Sequence, residues 1–486
     1  MKLRPAFFFK FAAALGVVLL LTNCATNPVT GRQNFVMMSE AEEIRVGRQA
    51  DTEVRKEYGV YELPELQRYV NEVGQRVAKT SHRPQLGYRF TVVDSPEINA
   101  FALPGGYIYV TRGLLAYLNS EAELAAVLGH EIGHVTARHG VQQYSAATAA
   151  SLGAAILGAV VPELGGQAGQ TVMGLLGNSL LSGYSRDHEL EADRLGAEYL
   201  ARSGYDSQAM LKVIGVLKNQ ELFDIEIAKQ EGREPRRYHG VFATHPDNDT
   251  RLQQVVGEAR QFAVAGKSDD RPAFLQHING MIFGDSPKHG IVRNGVFRHG
   301  ELGVGLSFPQ AWRVNNLPDR VQASSPQKDA LLELTLDEKP RGAPEDLARQ
   351  RFQLGPGSEI LSTTVNGLSA AIVTSARSAR LLKAGVIYHG GKAYLIAGGA
   401  ATPAAFNRHL ADISATINSF RALTEAERKS VKALAVRTVT ARKGLSYAEL
   451  AGQSPLGKNA EGYLRLLNGQ YPGGEPAPGQ TIKVVE

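Results

Sequence analysis

The chain of 486 residues holds one cysteine, Cys24. An intrachain disulfide, a cysteine-based zinc finger and an iron–sulfur site are therefore excluded. Any metal must be held by histidine and carboxylate. Tryptophan is almost missing too: Trp312 is the sole example, and in its apolar strand pattern it reads as core rather than binding site. An excess of charge of either sign is nearly absent. The formal net charge is +5, but Lys2, Arg4 and Lys10 fall in a removable segment, and without them 53 basic residues become 50 against 48 acidic ones. That near-balance makes no case for nucleic acid as a partner. The 51 glycines follow no collagen-like period, and no solenoid-type repeat is present. With 43% hydrophobic and 21% charged residues, usage is that of ordinary globular domains. Roughly 100–200 residues per domain allows two to four of them.

What is present begins at the N-terminus. Lys2, Arg4 and Lys10 precede an apolar run from Phe11 to Leu21, a charged region followed by a core too short for a comfortable membrane span. Leu21-Thr22-Asn23-Cys24 resembles a bacterial lipobox. Residues 1–23 thus read as a lipoprotein signal peptide, with Cys24 the lipidated first residue of the mature chain. Ala25 after it implies outer-membrane rather than inner-membrane sorting. An ordinary secretory signal with an incidental cysteine is the plainer alternative.

Apolar residues at three- and four-residue spacing predict helix from Ser39 to about Thr80. Tyr88 to Val93 and Gly106 to Thr111 alternate as strands, and helices dominate from Ser120 to about Ala265. From about Phe274 the texture changes to short strands with glycine turns, closed by a helix at Pro403 to Phe420.

The chemistry lies at His130-Glu131-Ile132-Gly133-His134. Histidines four apart share one helix face and can meet one zinc ion, with Glu131 left beside the open position to take a proton from an activated water. Ser120 and Glu123 read as the cap of that helix and Gly140 as its end. A catalytic zinc takes three protein ligands. Ser185 to Asp193 offers the third: Glu189 binds the metal, and Asp193, four residues on, orients a ligand histidine from behind. Glu191 reads as part of a solvated charged face, and His139 and His188 as surface residues or supports behind the ligands.

Together with Asn99-Ala100-Phe101-Ala102-Leu103-Pro104-Gly105-Gly106 and Asn27-Pro28-Val29-Thr30-Gly31, these motifs resemble one family. It is the zinc metallopeptidase family of HtpX, the CaaX prenyl proteases and the periplasmic lipoproteins BepA and LoiP. The resemblance covers roughly residues 27–265. It implies one Zn2+ per chain on His130, His134 and Glu189, with Glu131 as the base. It makes Asn99 and Ala100 part of an edge strand that receives substrate by β-augmentation. Thr244-His245-Pro246 with Arg251 matches a further family motif. It gives His245 either of two roles, oxyanion stabiliser or inhibitory zinc ligand, and it places Arg251 beside the oxyanion.

The stretch from Ser145 to Val161 is apolar but at the short limit for about 30 Å of hydrocarbon. If it alone crossed a membrane, Glu189 would lie on the far side from His130. It therefore reads as packed helix or cover near the active site.

The fold class expected is α+β. A mainly helical zincin-type domain with a small edge-strand sheet (24–268) precedes an α/β sandwich (274–423) similar to the PsbP/Mog1-like type. Last comes a β-α-α-β module (430–486) that resembles a degenerate LysM unit. The function implied is a zinc endopeptidase of the Gram-negative envelope, lipid-anchored to the outer membrane and facing the periplasm, that degrades or processes unfolded or misassembled envelope proteins. Peptidoglycan is a candidate partner of the last module. The alternative reading is a chaperone-like assembly factor or wall-anchored scaffold with a latent protease site.

Overall fold

The computed structural model describes residues 38–148, 183–231, 249–262, 271–354, 358–377 and 380–486, with most of 24–36 and residue 235. The signal segment, the run 149–182 and His245 lie outside the described residues. A short antiparallel pair, β1 (Cys24–Thr26) and β2 (Gln33–Phe35), leads in.

The helical stretch expected from Ser39 to Thr80 is two helices, α1 (Glu40–Tyr58) and α2 (Pro64–Ala78). Gly59, at φ 69°, turns the chain out of α1, and Val60 then bridges Val93 before Pro64 starts α2. The small sheet has the order β3 (Arg89–Val93), β5 (Tyr107–Thr111), β4 (Ala100–Leu103), parallel between β3 and β5 and antiparallel between β5 and β4. Its β3 side is closed by side chains. Gln67 of α2 donates to Val92 O at 2.8 Å and accepts from Val92 N at 2.9 Å, and Gln75 donates to Tyr88 O at 2.8 Å. That leaves β4 as the edge, with no further strand on it among the described residues.

After α3 (Arg112–Tyr117), helix α4 (Glu121–Thr136) runs through the centre with every residue buried. Ser120 accepts from Glu123 N at 3.2 Å, and the Glu123 carboxylate accepts from Asn119 N at 2.7 Å. The end of α4 differs from the expectation. Arg138, not Gly140, takes the left-handed turn, at φ 60°. A non-glycine residue holds that conformation only when its surroundings fix it. Arg138 donates to Glu43 at 2.9 Å and to Met38 O at 2.9 Å, and Arg83 joins the same buried carboxylate at 3.0 Å. Gly140 sits inside the next helical segment.

Helices α5 (Arg186–Arg202), α6 (Ala209–Glu231) and α7 (Asp249–Ala259) complete the layer, with α5 packed along α4. Helix α8 (Arg271–Ile278) also enters this core, through Phe274, Leu275 and Ile278. The region from residue 274 therefore begins inside the first core, and the strands that form a separate core start near residue 291.

Those strands build an antiparallel sheet of seven, in the order β10 (Arg313–Asn316), β11 (Arg320–Ser324), β12 (Ala330–Asp337), β16 (Lys392–Ala400), β15 (Arg380–His389), β14 (Leu368–Arg377), β13 (Glu359–Val365). Alternation splits it into two faces. Ala370, Ile387, Tyr394 and Ile396 pack with the helix Pro403–Asn418, while Ala371, Val386, Ala393 and Leu395 pack with the helix Pro344–Phe352. Trp312 is core, edge-on to His409 at 5.3 Å. The α+β class is borne out.

The last module follows β18 (Leu434–Thr440), two helices (Tyr447–Gln453 and Ala460–Leu467) and β19 (Thr481–Val485), with β18 between β19 and β6 (Ile282–Phe283). It shares the first core: Val436, Tyr447, Leu464 and Ile482 belong to the same cluster as α4. Lys483, fully buried, donates from Nζ to Ala116 O at 2.7 Å and to Leu118 O at 2.6 Å, the carbonyls at the C-terminus of α3. Replacing Lys483 by Met strands both carbonyls, so urea unfolding is expected to lose about 2–4 kcal/mol. Burial pushes the Lys483 pKa well below the ordinary 10.5, against the pull of Glu123. The unfolded chain then binds the extra proton between the two values, and stability rises with pH through that window. The Lys483→Met variant is expected to lack this part of the rise, read as a smaller gain in Tm between neutral and alkaline pH.

Candidate metal centre

Three donors from two helices converge. His130 and His134 stand one turn apart on α4, and Glu189 reaches them from the first turn of α5. Their nearest atoms are His130 Nε2 to His134 Nε2 at 2.9 Å, His130 Nε2 to Glu189 Oε2 at 3.4 Å, and His134 Nε2 to Glu189 Oε2 at 3.6 Å. Donors about 2.0–2.1 Å from a tetrahedral zinc are separated by about 3.3 Å, so this triangle has the size of a zinc face.

Helix packing without side chains makes the approach possible. A Cβ on Gly196 would lie 2.9 Å from His130 N, and one on Gly133 would lie 2.8 Å from Ala192 O. The two glycines let α5 lie on the backbone of α4, and only then does Glu189 reach both imidazoles.

Behind the donors, Asp193 Oδ1 meets His130 Nδ1 at 2.8 Å, the orienting contact expected of it. His139 is fully buried and its Nδ1 lies 2.9 Å from His134 Nδ1. Glu191 is not part of a solvated face. Its Oε2 lies 3.3 Å from His139 Nε2, and that contact holds its pKa below the ordinary carboxylate range. His188 stacks on His139 at 4.3 Å, and Tyr184 stacks on His134 at 4.1 Å. Sequence reasoning missed Tyr184 and placed Glu191 on a solvated face, while for His139 it left open a surface residue or a support behind the ligands. No spacing rule connects them to the motif, because the turn at Arg138 breaks the helix between His134 and His139.

The electrostatics favour a cation. Glu131, Glu189 and Asp193 are all buried beside two histidines, a concentration of carboxylate that is costly without positive charge. Burial raises Glu131 to about 8, and its Oε1 has no hydrogen-bond partner among the described residues. At His130 burial opposes protonation, but hydrogen bonds to Asp193 and Glu189 outweigh it and lift the pKa to about 10. Burial dominates at His134, which falls to about 3. A divalent ion at the shared position replaces this uneven protonation with two neutral imidazoles and ionised carboxylates.

The remaining expected site residues are placed as follows. Asn99 turns its backbone toward β5, donating to Thr111 Oγ1 at 3.1 Å and accepting from Thr111 N at 3.0 Å. The alternation of an antiparallel ladder then points the N–H and C=O of Ala100 and Ala102 away from β5. A small cleft is lined by Ala102, Leu103 and Pro104 together with His134 and Tyr184, so the edge strand and the metal site share one surface. Arg251 stands in α7, which packs on α5, with its side chain outside the described set; His245 and the apolar stretch beyond residue 148 also lie outside it. Among the described residues no helix is long and apolar enough to cross a membrane.

Comparison with known proteins agrees with this geometry. The model of peptidase family M48 matches residues 64–259. Over 243 residues the chain is 30% identical to the beta-barrel assembly-enhancing protease of Escherichia coli (strain K12), covering 49% of this chain and 47% of that protein. Over 209 residues it is 34% identical to the mitochondrial metalloendopeptidase OMA1 of Schizosaccharomyces pombe, covering 42% of this chain and 61% of that one. The chain thus spans about half the length of the curated relatives it matches. Among solved structures, PsbP of Synechocystis sp. PCC 6803 aligns with 27% of this chain and 95% of its own at 13% identity and a TM-score of 0.21, a score too low to support any assignment. Residues 64–259, which hold the buried His130, His134 and Glu189, match the zinc metallopeptidases of family M48.

Proposed function

We propose that the protein is a zinc endopeptidase of the bacterial cell envelope that cuts unfolded or misassembled proteins of that compartment. The observation that carries the reading is the zinc-sized triangle of His130, His134 and Glu189, with the unpartnered Glu131 oxygen beside it. The envelope setting rests on the beta-barrel assembly-enhancing protease relative and on the lipobox-like sequence ending at Cys24, the proposed lipid anchor.

His130, His134 and Glu189 would hold a zinc ion, which would supply Lewis acidity toward a peptide carbonyl and toward water. The chain's own groups do the rest. Glu131 takes the proton at its free carboxylate oxygen and passes it to the leaving amine. Asp193 holds the His130 ring through Nδ1. The outward backbone groups of Ala100 and Ala102, with Asn99 fixing the start of the strand, bind an extended chain whatever its sequence. That suits substrates recognised by being unfolded. His245 and Arg251 are assigned to the developing negative charge, with closure of the site by His245 as the alternative role.

The last module serves as a docking element in this reading, because its core is continuous with that of the protease. Binding to peptidoglycan is a separate property, testable by pull-down with the full chain.

Metal analysis is the direct check. The purified protein is expected to hold about one zinc per chain and the His134→Ala variant none. A wild-type chain free of zinc after purification without chelator removes the reading.

A further inference from the structure

The His134 side chain is held by a relay rather than by a carboxylate. With Nε2 turned to the metal position, His134 must carry its proton on Nδ1, and that N–H faces His139 Nδ1 at 2.9 Å. A neutral imidazole has one donor and one acceptor nitrogen. His139 therefore accepts at Nδ1 and donates from Nε2, and the group facing Nε2 is Glu191 Oε2 at 3.3 Å. A single arrangement of protons satisfies the whole chain: Glu191 accepts from His139, which accepts from His134. His139 is fully buried, and its ring plane is set by the His188 stack at 4.3 Å.

Both metal-facing histidines are thus oriented from one helix. Asp193 of α5 does so directly for His130 at 2.8 Å, and Glu191 of α5 does so for His134 through His139. The backbone supplies the reason for the inserted ring. Arg138, at φ 60°, turns the chain so that His139 folds back beneath His134 and fills the gap that Glu191 alone would have to span. We infer that His139 and Glu191 are positioning residues that fix the tautomer and ring orientation of His134 for the zinc ion. This rests on the zinc reading above, and its test separates the two.

Zinc affinity is measured on the full-length protein by competition with a chromophoric chelator, and geometry by the absorption bands of the Co2+-loaded protein. His139→Ala is expected to weaken zinc binding about 10- to 100-fold and to shift the Co2+ bands. Glu191→Ala is expected to act in the same direction with a smaller loss. Glu191→Gln keeps an acceptor oxygen and is expected to stay near wild type. Adding Glu191→Ala to His139→Ala is expected to cost nothing more, because the relay is already cut. Folded His139→Ala and Glu191→Ala variants with wild-type affinity and unchanged Co2+ bands overturn the inference while leaving the zinc reading intact. So does a Glu191→Ala loss that persists in full without His139. A wild-type chain that binds neither metal overturns both. If His139→Ala fails to fold, the Glu191→Ala and Glu191→Gln pair, at a half-buried carboxylate, carries the test.

Discussion

Glu131→Gln is expected to lower hydrolysis of an unfolded protein such as casein by about 10²- to 10⁴-fold while leaving zinc content at the wild-type level. The two side chains have nearly the same shape, so the packing of α4, where every residue is buried, is undisturbed. Glutamine cannot take a proton at this position, and proton transfer is all that Glu131 contributes. Glu131 stands outside the donor triangle, so the metal stays. The assay belongs in both the wild-type and the His245→Ala backgrounds, since an inhibitory His245 would mask activity in the first. Proteolysis unchanged by Glu131→Gln in either background rules out Glu131 as the base. Loss of zinc along with activity makes it a ligand instead. Absence of proteolysis from the parent chain in both backgrounds favours the assembly-factor reading.

Gly196→Val is expected to cost about 1–3 kcal/mol of stability and to abolish stoichiometric zinc binding. The new Cβ would stand 2.9 Å from His130 N and 3.1 Å from His130 Cα. These are backbone atoms of a buried helix and cannot rotate aside, so α5 must lift away. Glu189 lifts with it, and the 3.4 and 3.6 Å separations that suit one ion are lost. Gly215→Ala is the control: its Cβ meets nothing within 4 Å, on a helix where alanine is favoured, so a stability gain of about 0.5–1 kcal/mol is expected. Thermal unfolding with metal analysis of both variants decides the matter. Full zinc occupancy in Gly196→Val removes the claim that this helix contact sets the site.

Much of the site could be read before folding because its chemistry is local. His130 and His134 share a face by helix periodicity alone, and Glu189 and Asp193 do so on a second helix. The cap at Ser120 is equally local: its hydroxyl accepts from the Glu123 N–H three residues on, and the Glu123 carboxylate returns to the Asn119 N–H. The reading failed where a long-range contact overrode local preference. Gly140 is the better residue for a left-handed turn, yet Arg138 takes it, because Glu43 and Met38 hold its guanidinium from another part of the chain. Glu191 sits on the exposed side of a helical wheel, yet it faces a buried histidine that the same turn delivers. Residue 274 begins a new sequence texture, yet Phe274 and Ile278 fill the core beneath α2 because the last module and β6 close over them.

The sequence by itself determined the candidate donors and the candidate base, the exclusion of an intrachain disulfide or cysteine-based metal cluster, and an α+β chain that changes from helices to strands near its middle. Those follow from residue types and from periods of 3.6 and 2 that need no partner. Only the tertiary structure decided that the donors meet in one triangle, that Glu191 reaches His134 through His139, and that the final module is bolted to α3 by Lys483. Each of these depends on the distance between segments far apart in the chain, which is set by the bare glycine backbone between α4 and α5 and by buried ion pairs.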